Sequence, residues 1–212
     1  MNLTTNTAKI LHGDEDSIPI DASVFTFFDD GSYTELLQII NNNKTVIALL
    51  PRSDYQIKMR DENYLILTNS NGDLFLLDIH ADTPVLLQAK AYLFSWEKNN
   101  NILAYSDGFE IRVYNPNKLK NEFITRQSKK IKNLIWHPNI KNIIVQYDSS
   151  ITAIEYFQTG QNRQVTSLLP DNDLTILDSW LNKNGNILYY YALQDGAYEF
   201  FRLNLSKSLL SF

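Results

Sequence analysis

Leu93-Phe94-Ser95-Trp96, then Glu97-Lys98-Asn99-Asn100, then Asn101-Ile102-Leu103-Ala104-Tyr105 is the stretch on which the fold turns. An apolar run ends in Trp, a polar loop follows, and a second apolar run opens at Asn. The chain then turns at Ser106-Asp107-Gly108 and returns as Phe109-Glu110-Ile111-Arg112-Val113-Tyr114. Asp-Gly between two such runs is a strong hairpin signal, because glycine reaches positive φ with no Cβ clash. In the returning run Phe109, Ile111 and Val113 alternate with Glu110, Arg112 and Tyr114, the period of two that marks a strand with one face buried.

The same order recurs. Trp136 is followed by Asn142-Ile143-Ile144, and Trp180 by Asn186-Ile187-Leu188. A further copy carries Met59 in place of Trp and continues into Asn63-Tyr64-Leu65-Ile66. The Asn markers at 63, 101, 142 and 186 are spaced by 38, 41 and 44 residues. Four short strands per unit at that period point to the blades of a β-propeller rather than to helical repeats. We therefore expect an all-β chain, a β-propeller of about five four-stranded blades, either complete or a part of a larger ring. Blades are expected at 55–89, 90–128, 129–170 and 171–212. Residues 1–54 lack the Trp and are expected to be a diverged first blade or a ring-closing segment, with 34–40 open to a short helix as well as a strand. Each indole can bury about 200 Å2, so the Trp column reads as glue between sheets.

Composition narrows the function classes. Hydrophobic residues make up 44% of the chain and aromatics 12%, enough for a substantial core. The formal charge of -5 argues against a nucleic-acid partner, which needs a basic face to neutralise phosphates. One basic stretch, Lys118, Lys120, Arg126, Lys129, Lys130 and Lys132, reads as a solvated strand edge and loop. With no cysteine there is neither a disulfide framework nor a thiolate zinc site. No apolar run approaches the ~20 residues that span a bilayer, and Met1 to Thr7 lacks the pattern of a secretory signal.

Catalytic and metal motifs are sparse. Of three histidines, His12 falls in a polar N-terminal stretch, His80 ends a strand and His137 sits in the repeat loop beside Pro138, with no ligand-like spacing between them. Asp14-Glu15-Asp16, Asp29-Asp30-Gly31-Ser32 and Asn69-Ser70-Asn71-Gly72-Asp73 offer oxygens, but the last lacks the Glu of a calcium loop and already serves as a hairpin turn. There is no Gly-x-Ser-x-Gly elbow and no Gly-rich phosphate loop. Tyr189, Tyr190, Tyr191, Phe200 and Phe201 form an aromatic cluster in the final unit, read as core and edge packing, with stacking of sugars or peptides as the alternative. No catalytic, cofactor or metal residue is assigned.

Trp136-His137-Pro138-Asn139 resembles the Trp-x-Pro-Asp/Asn-Gly motif of TolB-like propellers. The segment from Ile131 to Asn139, with Phe123 to Arg126, Ile151 to Glu155 and Arg163, is similar to the propeller region of bacterial PEGA-domain proteins of the candidate phyla. The likeness covers roughly residues 55–205. It implies a non-catalytic, cell-envelope protein and a chain that is the C-terminal portion of a membrane-anchored parent. The Trp-Asp and Gly-His pairs of the WD family are missing. The expected function is a protein-interaction or scaffold module with a protein partner and no cofactor. The alternative is a glycan-active hydrolase using carboxylates in the central channel.

Overall fold

A computed structural model describes residues 24–156 and 163–205. Eighteen strands and a single 3-10 turn at Pro116–Lys118 account for the elements in them. Two compact units divide the chain, Met1–Arg52 and Ser53–Phe212.

The first unit holds one meander, β1 (Val24–Asp29), β2 (Tyr33–Ile40) and β3 (Asn43–Pro51), in the order β1-β2-β3. Residues 34–40 are thus strand; Leu36 is fully buried and pairs with Ala48. Asp29 and Asp30 accept from the backbone N–H groups of Gly31, Ser32 and Tyr33 and shape the turn between β1 and β2.

The second unit holds four sheets in chain order, which we number two to five. Sheet two is β4 (Tyr55–Arg60), β5 (Tyr64–Asn69), β6 (Asp73–Asp78) and β7 (Val85–Lys90). Sheet three is β8 (Leu93–Glu97), β9 (Ile102–Ser106), β10 (Glu110–Asn115) and β11 (Lys120–Arg126). Sheet four is β12 (Asn133–Trp136), β13 (Asn142–Gln146), β14 (Ile151–Glu155) and β15 (Val165–Leu169). Sheet five has three strands among the described residues, β16 (Thr175–Leu181), β17 (Ile187–Gln194) and β18 (Ala197–Asn204). Every neighbouring pair is antiparallel.

Period-two alternation splits the central strands β9 and β13 between two cores. In β9, Leu103 and Tyr105 pack with Ile66, Leu74 and Leu76 of sheet two, while Ile102 and Ala104 join Ile143 and Val145 of sheet four. In β13, Ile144 turns the other way and packs with Leu188, Tyr190 and Ala192 of sheet five. A strand buried on both faces loses its polar face altogether, which is why β9 and β13 read as nearly unbroken hydrophobics.

Two of the three indoles bridge sheets as expected. Trp96 Nε1 donates to Asp61 Oδ2 at 2.8 Å in the loop of sheet two, and its ring lies 5.2 Å from that of Tyr64. Trp136 Nε1 donates to the Ser95 carbonyl at 2.9 Å in sheet three. Trp180 departs from the pattern. A bulge at Leu177 interrupts the pairing of β16 with β17 between Ile176 and Asp178. One inserted residue moves all later side chains to the opposite face. Leu181, opposite Leu188, therefore packs toward sheet four, and Trp180 faces away from it. A bulge between Ile57 and Met59 does the same in β4, so Met59 packs in the core shared with sheet three.

Candidate functional site: the outer face of the fifth sheet

The register of β16, β17 and β18 sorts their side chains. Asp178, Tyr191 and Phe200 lie in one row across the sheet, and Trp180, Tyr189 and Arg202 in the next; both rows share the face that carries Tyr198. The opposite face carries Ile176, Leu188, Tyr190 and Ala192 and is buried against sheet four. A polar clamp fixes which face is which. Ser179 Oγ donates to Gln146 Oε1 at 2.7 Å, Gln146 Nε2 donates to the Ile176 carbonyl at 3.2 Å, and Asn133 Nδ2 donates to the Ser179 carbonyl at 3.0 Å.

The outward face is dominated by rings. Trp180, Tyr189 and Phe200 form a triangle with centroid separations of 6.1, 5.6 and 5.6 Å, and Tyr191 stacks on Tyr198 at 5.7 Å and 12°. These rings touch one another yet stay in solvent. Trp180 is 41% exposed, Phe200 58% and Tyr198 66%. Contiguous apolar surface of that kind marks an interaction site more often than an ordinary solvated face. Of the aromatic cluster expected as packing, Tyr190 and Phe201 do pack inward, stacked at 4.9 Å, whereas Tyr189, Tyr191 and Phe200 do not. The sequence signal that separates the two groups is residue parity along β17 and β18, whose pairing is unbroken; the bulge at Leu177 in β16 puts Trp180 on the same outward face.

Next to this face runs an edge that no described strand covers. In sheets two, three and four the third strand is followed by a fourth, β7, β11 or β15. β18 pairs with β17 on one side, and among the described residues no strand lies on its other side. The β17–β18 connection is a tight two-residue turn with φ of +50° at Asp195 and +82° at Gly196, the primed geometry that keeps both strands straight to their ends.

The other sequence candidates are accounted for by local structure. His12 and Asp14-Glu15-Asp16 lie outside the described residues. His80 Nε2 approaches the Glu62 carbonyl at 3.3 Å. His137 is buried, and its Nδ1 accepts from the Asn139 N–H at 3.1 Å, so the proton sits on Nε2 and is donated to the Gly185 carbonyl at 2.9 Å. Asn69 caps its own turn through the Asn71 and Asp73 N–H groups. In the basic stretch Lys120, Lys129 and Lys132 pair with Glu122, Asp171 and Asp148. Among the described residues no cluster of three or more His, Asp or Glu side chains is placed to hold a metal ion.

A second concavity lies between sheets two and three. A cleft of about 180 Å3 is lined by Ala89, Lys90, Tyr105, Asp107, Glu110 and Arg112. Its charges already hold one another. Lys90 bridges to Asp73 at 2.8 Å, and Arg112 to Glu110 at 2.6 Å. Asp107 accepts from the Phe109 and Glu110 N–H groups. Burial pushes the Tyr105 phenol up, and its oxygen is bonded to Asn121. Sequence reading missed Glu97, a buried carboxylate that accepts from the backbone and side-chain nitrogens of both Asn99 and Asn100 and so folds the repeat loop.

No protein-family model matches the sequence, and a search of curated proteins returns no match. Solved structures do match. The complex of KlAtg21 with the coiled coil of AgAtg16 superposes with a TM-score of 0.58 at 14% identity, over 81% of this chain and 64% of that one. TolB from Acinetobacter baumannii gives 0.53 at 13% identity, over 86% and 50%. The fold is a β-propeller. An oligogalacturonate lyase in complex with manganese gives 0.56 at 10% identity, over 88% and 60%. The chain spans less than two thirds of the length of each of these proteins. At such identities the likeness shows the fold alone, and function rests on the site.

Proposed function

We propose that this propeller is a non-catalytic protein-interaction module whose docking surface is the outer face of the fifth sheet and the adjoining β18 edge. The observation that carries the reading is the ring-covered face on which Trp180, Tyr191, Tyr198 and Phe200 are exposed and Tyr189 half-buried, beside a β18 edge that no described strand covers. Main-chain groups on such an edge bind any extended segment, and alternate side chains on the adjoining face give selectivity. The carboxylates described above support a non-catalytic reading, since Asp73, Asp107, Glu110 and Glu122 are held by cations or turn N–H groups.

Binding of a displayed library of extended peptides tests this. The native chain is expected to retain sequences that alternate apolar residues, and a folded Phe200→Lys variant is expected to lose them. Peptide capture indifferent to that substitution would remove the surface from consideration. The second reading is a glycan-active enzyme, since the same rings present flat faces on which sugars stack. Turnover on a panel of polysaccharides would replace the interaction reading with it. The PEGA-like segment around Trp136 to Asn139 supports a cell-envelope location, and fractionation of the native organism with an antibody to this chain tests that.

A further inference from the structure

We infer that the Asn71-Gly72 turn of sheet two is a site of spontaneous deamidation, and that the second Asn-Gly pair of the sequence, Asn184-Gly185, is protected from the same reaction by its packing. The inference is independent of what the fifth sheet binds.

Asparagine is among the thermolabile residue types, and a following glycine removes the Cβ that would shield its amide. The main-chain nitrogen of Gly72 attacks Asn71 Cγ and gives its proton to solvent base. A bond forms from that nitrogen to Cγ, the Cγ–Nδ2 bond breaks, and ammonia leaves. Water then opens the five-membered imide at one of its two carbonyls. Opening at Cγ leaves aspartate, and opening at the main-chain carbon leaves isoaspartate, with one extra carbon in the backbone. The reaction needs only water, with no oxidant or cofactor.

The two turns are built alike. Gly72 and Gly185 have φ of +74° and +71°, and each donates its N–H within its own turn, to the Asn69 carbonyl at 3.1 Å and the Asn182 carbonyl at 2.9 Å. Asn71 and Asn184 are both exposed. Their surroundings differ. Attack requires the peptide plane between Asn and Gly to rotate and its N–H to leave the turn bond, a local opening. Gly185 is buried, an added Cβ would lie 2.6 Å from His137 Nε2 and 2.8 Å from Pro138 Cδ, and its carbonyl accepts from the His137 ring. That plane is wedged. Around Gly72, among the described residues, only the Tyr92 ring comes within 4 Å of an added Cβ, at 3.6 Å. The Gly72 carbonyl accepts from the Ala91 N–H over a long 3.3 Å, and the Asn71 carbonyl from Lys90 Nζ at 2.7 Å. The Lys90 side chain is 65% exposed, so its ammonium follows the carbonyl as the plane turns. Asn69, which precedes Ser70 in the same turn, is tied at both ends of its amide, donating to Asp73 and accepting from the Asn71 and Asp73 N–H groups. Conversion of Asn71 sets a new carboxylate near Lys90 in competition with Asp73, at the wall of the cleft between sheets two and three.

Incubation of the full chain in mildly alkaline buffer, with digestion at intervals and mass analysis of the peptides that carry Asn71 and Asn184, tests this. Isoaspartate is counted by methyl transfer from labelled S-adenosylmethionine with an isoaspartyl methyltransferase. The chain unfolded in guanidinium chloride supplies the reference rate of each pair. In the native chain the Asn71 peptide is expected to gain about one mass unit and to convert at least about tenfold faster than the Asn184 peptide. His137→Ala removes the wedge and is expected to raise the Asn184 rate several-fold, with a retained melting transition showing that the chain still folds. An Asn71 that stays unchanged while the unfolded reference converts, or an Asn184 that converts as fast as Asn71 in the native chain, overturns the proposal. An Asn184 that stays inert in folded His137→Ala overturns the wedge as the source of its protection.

Discussion

Replacing Gly185 by Ala is expected to be far more damaging than its size implies. Gly185 has φ of +71°, and a Cβ there would lie 2.6 Å from His137 Nε2, 2.8 Å from Pro138 Cδ and 2.9 Å from His137 Cε1. The left-handed backbone costs a non-glycine residue about 1 to 2 kcal/mol. Moving the imidazole away breaks the bond from Nε2 to the Gly185 carbonyl, and stranding buried polar groups costs about 1 to 3 kcal/mol more. The sum is roughly 2 to 5 kcal/mol. Gly196 supplies the control, because its φ is +82° but nothing lies within 4 Å of an added Cβ. Gly196→Ala therefore reports the backbone term alone. Urea denaturation of both variants, with a double-mutant cycle through His137→Ala, separates strain from collision. We expect Gly185→Ala to exceed Gly196→Ala by at least about 1 kcal/mol, and the excess to shrink when the imidazole is gone, leaving the collision with Pro138 Cδ. Equal losses at the two glycines, or no coupling to His137, would refute the argument that this loop ties sheet four to sheet five through that contact.

Three further outcomes follow from the packing. Trp136→Ala should lose about 3 to 5 kcal/mol as a buried bridging indole, whereas Trp180→Ala should lose about 1 kcal/mol or less; equal melting losses would contradict the flipped register. Asn142 is fully buried and neither atom of its amide meets a partner among the described residues, so Asn142→Leu should be neutral or stabilising by about 1 kcal/mol, and a large loss of denaturation midpoint would reveal a bound group there. Asp73 is held below its usual range by the Lys90 ammonium, and Asp107 by the Glu110 N–H. Both resist protonation more when folded than unfolded. Their stabilisation is complete above the unfolded carboxylate range near pH 4 and is lost as pH falls through the lower folded values. Lys90→Met should flatten that acid limb in a pH series of thermal melts, and an unchanged profile would count against it.

The repeat was legible because it is written in strand chemistry. Asn101-Ile102-Leu103 and Asn142-Ile143-Ile144 mark central strands buried on both sides, and Asp107-Gly108 and Asp195-Gly196 announce turns that need positive φ. Resemblance of units concealed what differs between them. Asn101 adopts φ of +51°, whereas Asn142 already lies in β13. The position that accepts from the third strand is Asn63 in sheet two, Lys141 in sheet four and Asn186 in sheet five, so the marker slips by one residue in the fourth. Facing is a matter of parity, and the bulges at Lys58 and Leu177 reset parity without leaving a residue-type signature. The aromatic surface was therefore visible as composition and invisible as a surface.

The hydrogen bonds from Trp96 to Asp61, from Trp136 to Ser95 and from His137 to Gly185 each reach one sheet along. Such wiring couples each of these sheets to its immediate flanks, so a lesion in one is expected to be felt first by its neighbours.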